Sequence, residues 1–175
     1  MAEKRNIILT LVIAGALSGL GASLLYQSGY EQWQVTASSV PAMGFNGIAA
    51  TFLGGLNPIG TIFASFFIQH ITSGGGSLCQ TGRRGSVMVL LLQYTLIFAS
   101  VLMLVALGGC FSEHSGVINL GLEGIMVIGA LGGALAMRYM SSLPPFLMVV
   151  VVLLCAIAAG VVYSSLLAVA CINFK

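Results

Sequence analysis

Charge is what this chain has least of. Four residues are acidic and six are Lys or Arg among 175, so charged residues make up 6% of the sequence. A soluble domain carries about 25%, and a chain this poor in charge has no means of covering a water-exposed surface. The net charge of +2 is too small to suggest nucleic acid, and no nucleic-acid partner is expected. Metal-ligand spacing is also missing. Cys79, Cys110, Cys155 and Cys171 stand singly, without a CxxC pair, and read as small apolar residues. No nucleophile–base set occurs, so no enzyme is expected. The glycine-rich stretches GGLNPIG and TSGGGS lack the Lys-Ser or Lys-Thr that ends a phosphate loop, so the chain is not expected to hydrolyse ATP by itself. No cofactor or metal is implied. Strand-like alternation is lacking as well, which argues against a membrane barrel.

What is present is apolar. Hydrophobic residues make up 58% of the chain, and its mean hydropathy is +1.08. Backbone groups in hydrocarbon must pair within their own element, which leaves helices. At about 20 residues per span, the expectation is an all-α, polytopic membrane helix bundle of about five spans. They are expected at residues 6–26, 44–71, 87–110, 117–137 and 146–171. The first apolar segment follows Lys4 and Arg5 and reads as a retained anchor rather than a cleaved signal.

Two of these segments are interrupted. Gly54-Gly55-Leu56-Asn57-Pro58 divides the second into a half-helix at 45–53 and a spanning helix at 59–71. A loop is expected at 72–86, holding Gly74 to Gly76, Arg83 and Arg84. The other break is SGVINLGLEG, residues 115–124, which sets Asn119 and Glu123 in apolar sequence. A charge at the bilayer centre costs about 2.5–3.5 kcal/mol and usually faces a bundle interior or a water-filled path. Two readings stand side by side. Asn119 caps the helix that follows, with Glu123 in its first turn; or both residues line a solute path or brace the broken backbone beside it.

Glu113 and His114 read as an interfacial polar corner, and His70 as a helix end. Gly15 with Gly19, and Gly129 with Gly133, have the GxxxG spacing that lets helices approach closely. Pro144-Pro145 opens the last segment, where proline suits a first turn. By the positive-inside rule, Lys4, Arg5, Arg83, Arg84 and Arg138 share the inner face. The stretch 27–43, with Tyr30 and Trp33 at headgroup level, and the corner at 111–114 face outward, leaving Lys175 outside.

These residues carry a resemblance. FSEHSGVINLGLEGIMVIGALGGALA, residues 111–136, resembles a signature near the start of bacterial ABC-importer inner-membrane permeases for nucleosides and simple sugars. That group lies within the branched-chain amino acid/ribose permease superfamily. His114 stands where Arg is common. GFNGIAATFLGGLNPIGTIFASFF, residues 44–67, resembles a late segment of a sister permease, with Asn46 where Asp is frequent. IAGALSGLGA, residues 13–22, is similar to the helix preceding that segment. A late segment therefore precedes an early one. The resemblance implies that 1–78 is the C-terminal part of one permease and 87–175 the N-terminal part of its sister, joined near 77–88.

The function this implies is that of a permease component of an ATP-driven importer for nucleosides or related sugars, multi-pass in the bacterial plasma membrane. Implied partners are the lipid bilayer, a sister permease subunit, a cytoplasmic ATP-hydrolysing subunit and an extracytoplasmic solute-binding protein. Candidate path-lining or helix-break residues are Asn46, Asn57, Pro58, Ser115, Asn119, Gly121, Glu123 and Gly124. The family's ATPase-coupling segments would fall around residues 3–6 and beyond Lys175, so a fragment without independent activity is also expected. Alternatives are a non-transporting membrane relic or scaffold, and a small proton-coupled secondary transporter using Glu123.

Overall fold

A computed structural model describes residues 2–28, 42–78, 84–140 and 144–173. The expected belt residues Tyr30 and Trp33, as well as Cys79, Arg83 and Lys175, lie outside the described residues. Among those described, every regular element is a helix. The order is α1 (Ala2–Gln27), α2 (Met43–Leu53), α3 (Pro58–Leu78), α4 (Arg84–His114), α5 (Leu122–Tyr139) and α6 (Pro145–Asn173). Pro58 and Pro145 each stand first in their helix, where the missing N–H is no loss.

Among the described residues, four helices are long and apolar enough to cross a membrane: Lys4–Gln27, Met88–His114, Leu122–Tyr139 and Pro145–Asn173. α2, at 11 residues, is a shorter apolar helix. The protein is an all-α polytopic membrane bundle. Its outer surface is rich in apolar side chains such as Ile59, Phe63, Phe67, Val162 and Leu166, as a lipid-facing surface requires.

Several helix boundaries differ from expectation. α3 runs on through Gly74 to Gly76 to Leu78, where a loop was expected from Thr72. A helical glycine costs only about 1 kcal/mol relative to alanine, less than a broken backbone hydrogen bond costs away from water. α4 continues past Cys110 to His114, and α5 starts at Leu122 rather than near Val117.

α1 is the central helix. It packs on α4, α5 and α6. Gly19 sits at the point where three helices meet: a Cβ there would lie 2.6 Å from the Ala156 carbonyl oxygen of α6. A Cβ on Gly129 of α5 would lie 2.7 Å from the Gly19 Cα. Gly15 is as tight, with Ser164 and the Gly160 carbonyl against it. Gly133 is looser, with Val152 and Ala156 at ordinary contact distance. The Ser164 hydroxyl donates to the Leu11 carbonyl and ties α6 to α1.

Helix directions follow from these pairs. α1 runs antiparallel to α6, with Ile7 and Leu11 packed by Ala168 and Ile172, and Gly19 packed by Ala156. α1 is also antiparallel to α4, since Gly108 meets Ala14 and Gly21 meets Val101 and Val105. α2 and α3 form a hairpin. Ala50 and Ala64 pack together against Ala106. Ala42, Met43, Thr72, Ser73 and Phe98 gather at the hairpin's open end.

This hairpin overturns the expected sidedness. Because α3 returns to the end from which α2 entered, the pair makes no net crossing. Lys4 and Arg5 therefore share an end with His114. Arg138 lies at the opposite end, beside Gln27 in a cleft with Tyr26 and Met137, and the start of α4 at Arg84 lies at that end too. The basic residues do not share one face.

Candidate functional site: a half-helix held at both ends

α2 stops where its sequence turns to glycine. The Gly54 and Gly55 amides still bond back to the Ala50 and Phe52 carbonyls at 2.9 and 3.0 Å. Gly55 then takes φ +66° and Leu56 φ +59°. This is the left-handed region, where glycine is at ease and leucine is strained by about 1–2 kcal/mol. Asn57 restarts the chain as a helix. Its side-chain oxygen accepts from the Ile59 amide at 3.0 Å, capping α3 with Pro58 in the first position. Asn57 and Pro58 thus do more than break a helix, because they also begin the next one.

Such a break frees backbone carbonyls, which need partners away from water. α4 provides them. His114 Nε2 lies 2.8 Å from the Leu56 carbonyl oxygen, and Cys110 Sγ donates to the same oxygen at 3.0 Å. The partner of the corner residue His114 is therefore a backbone carbonyl. In the last turn of α2, the buried Thr51 hydroxyl lies 2.9 Å from the Gly47 carbonyl oxygen of its own helix and 2.8 Å from that of Ala106 in α4.

The other end of α2 meets Glu123. The Phe45 amide, in the first turn of α2, donates to Glu123 Oε2 at 3.1 Å. No side-chain cap comes from α2's own sequence; Ala42 precedes it without a cap hydrogen bond. Glu123 does that work across space, and its acidic group also suits the positive end of a helix dipole. Gly44 makes the approach possible, since a Cβ there would lie 2.5 Å from Glu123 Oε2 and 2.6 Å from the Glu123 backbone nitrogen.

Residues 115–121 form a non-helical entry into α5. Gly116 has φ +78°, and the Ser115 hydroxyl donates to the Ser112 carbonyl at 2.6 Å. Val117 packs against the cluster of Ile7, Leu11 and Ala168, so the entry runs along α1 and α6. Asn119 is buried, and its Oδ1 accepts from the Gly121 amide at 3.1 Å. That closes a turn ahead of the helix and corrects the expected cap. The residue in the cap position is Gly121, without a side-chain cap bond, while Glu123 stands in the first turn of α5. Gly121 lies under Leu167 and Gly124 under the Tyr163 ring, so α6 covers both.

Asn46 is half-buried in α2's second turn, one residue beyond the Glu123 contact. Asn46, Asn57, Pro58 and Glu123 thus attach to one short helix and its hinge. Ser115, Asn119, Gly121 and Gly124 belong to the entry packed on α1 and α6. Sequence reasoning missed Thr51, Cys110 and Gln69. Thr51 and Gln69 are polar residues inside apolar helices, and that was their available signal. Among the described residues no three His, Cys, Asp or Glu side chains come together.

The permease component of the branched-chain amino acid transport system, as a family model, matches this chain twice, over residues 2–93 and 91–173. The chain belongs to this permease family. The family is one of transporter membrane components rather than enzymes. The guanosine ABC transporter permease protein NupQ of Bacillus subtilis is 41% identical over 93 residues, which is 51% of this chain and 28% of that protein. The nucleoside ABC transporter permease protein NupB of Lactococcus lactis is 39% identical over 82 residues, 47% of this chain and 22% of that protein. Its counterpart NupC is 37% identical over 84 residues, 46% of this chain and 25% of that protein. The chain thus spans about a quarter of the length of the curated relatives it matches. No solved structure matches it.

Proposed function

We propose that this chain is a transmembrane permease component of an ATP-driven importer for nucleosides or related sugars. The observation that carries the reading is the permease family match across both halves, with relatives whose own names are those of nucleoside permeases. Its setting is the bacterial inner membrane. Its partners are a sister permease, a cytoplasmic ATP-hydrolysing subunit and an extracytoplasmic solute-binding protein. Residues 1–78 are read as the C-terminal part of one permease and 87–175 as the N-terminal part of its sister. Two successive matches of one family model on one chain support that division. The braced half-helix α2 is the element on which the solute path is built, because an interrupted helix beside protein is how polar backbone is tolerated at membrane depth.

The test is uptake. A permease-deficient bacterium is given this chain together with a cognate ATPase and solute-binding lipoprotein. The expected outcome is restored uptake of labelled guanosine that stops when the ATPase is inactivated. Absence of uptake, with the chain present in the membrane, overturns the transport reading and supports a non-transporting scaffold that packs through its glycine faces.

A further inference from the structure

A groove lies between the first turns of α2, the later turns of α3 and the face of α4 that carries Phe98. Its volume is about 310 Å³, and Ala42, Met43, Asn46, Gln69, Thr72, Ser73 and Phe98 line it. That is the lower end of the range for small-molecule sites, about 300–1,000 Å³. We propose that this groove is a seat for an uncharged, hydrogen-bonding heteroaromatic solute of the nucleoside class. The inference rests on the permease reading above and names where within the chain its solute is held.

Gln69 carries the argument. It is 4% exposed, and its Oε1 has no hydrogen-bond partner. Its Nε2 donates to Ser73 Oγ at 3.1 Å, so the amide is half satisfied. Turning the amide over exchanges the two atoms and still leaves one polar atom unpaired. A buried polar atom without a partner costs about 1–3 kcal/mol, and more where lipid rather than water is the surroundings. A solute amine or hydroxyl in the groove removes that cost.

The remaining lining residues select the class. Among the described residues none that lines the groove is acidic or basic, so none of them neutralises a phosphate. Phe98 is half-buried, its ring stacked on Tyr94 with centroids 6.4 Å apart and planes 22° apart. A ring held in this way is a platform for a flat base, and such stacking contributes about 1–3 kcal/mol per base. Asn46 and Gln69 both carry carboxamides, which offer a donor and an acceptor to the polar edge of a base. The Thr72 hydroxyl donates to the Ile68 carbonyl at 2.9 Å and keeps lone pairs for a ribose hydroxyl. Glu123 bonds the amide next to Asn46, so the clamp on α2 also fixes one wall of the groove.

The whole chain in lipid nanodiscs, titrated with tritiated guanosine, tests this, with ribose and guanosine monophosphate as competitors. Saturable guanosine binding is expected, with both competitors at least about tenfold weaker, since ribose has no base to stack and the monophosphate brings a charge that no named residue of the groove neutralises. Gln69→Leu and Phe98→Leu are each expected to weaken guanosine by about tenfold or more, while Gln69→Leu melts at or above the wild-type temperature because an unpaired polar atom is gone. Ribose binding as tightly as guanosine overturns the assignment, and so does either variant binding like wild type, or an absence of saturable binding. The two proposals fail separately. Binding that depends on Gln69 without uptake in cells removes the transport reading and keeps the seat. Uptake that both variants leave unchanged removes the seat and keeps the transport reading.

Discussion

Glu123 is the residue whose meaning depends most on its surroundings. In the chain it is an isolated acid in apolar sequence. In the fold its side chain accepts from the Phe45 amide, 78 residues earlier in the chain, and so caps α2. Glu123→Leu leaves the Phe45 amide without its partner, and Glu123→Gln keeps an oxygen acceptor while losing any charge. The leucine variant is expected to unfold more easily by on the order of 1 kcal/mol, and the glutamine variant by less. Denaturant titration in bicelles checks this; equal stability of the leucine variant and wild type would show that the clamp contributes nothing. His114 and Cys110 are the same device at the other end. Both were visible as residues, but their shared partner is a main-chain carbonyl, which no side-chain pattern announces.

At the scale of elements, glycine placement decides how closely helices approach. GxxxG spacing was legible at Gly15 with Gly19 and at Gly129 with Gly133. It did not reveal that Gly19 faces two helices at once, nor that Gly133 has room to spare. A methyl on Gly19 would press on the Ala156 backbone, which cannot turn away as a side chain can. Gly19→Ala is therefore expected to lower the unfolding midpoint clearly, while Gly133→Ala, whose neighbours lie at 3.4 Å or more, is expected to change it little. Thermal unfolding of the two variants side by side checks this, and the reverse order would contradict the packing. The α2–α3 break was also legible, since Gly-Gly-Leu-Asn-Pro admits no continuous helix. Its outcome as a hairpin was not, because proline ends a helix without choosing the direction of the next.

At the scale of the molecule, that hairpin changes which ends face together. One-sided basic residues would hold if α3 were a full crossing. With α2 and α3 as a returning pair, Arg5 and Arg138 lie at opposite ends. Single-cysteine variants at these positions, in a background without other reactive thiols, are expected to react with a membrane-impermeant maleimide from opposite sides. Labelling of both from the same side would restore the one-sided arrangement and remove the hairpin. A residue count alone cannot decide between these arrangements, since an apolar stretch of suitable length serves either as one crossing or as two half-crossings.

The sequence by itself determined that the protein is helical, lies in a membrane and belongs to a transport-system permease family. Those properties depend on composition, run length and local motif, all of which survive without knowing what touches what. Only the tertiary structure decided that Glu123 meets Phe45, that Leu56 gives its carbonyl to α4 and that Gln69 shares a groove with Phe98. In an apolar medium every freed polar group must find a partner, and which one it finds depends on helix packing rather than on its neighbours in the chain.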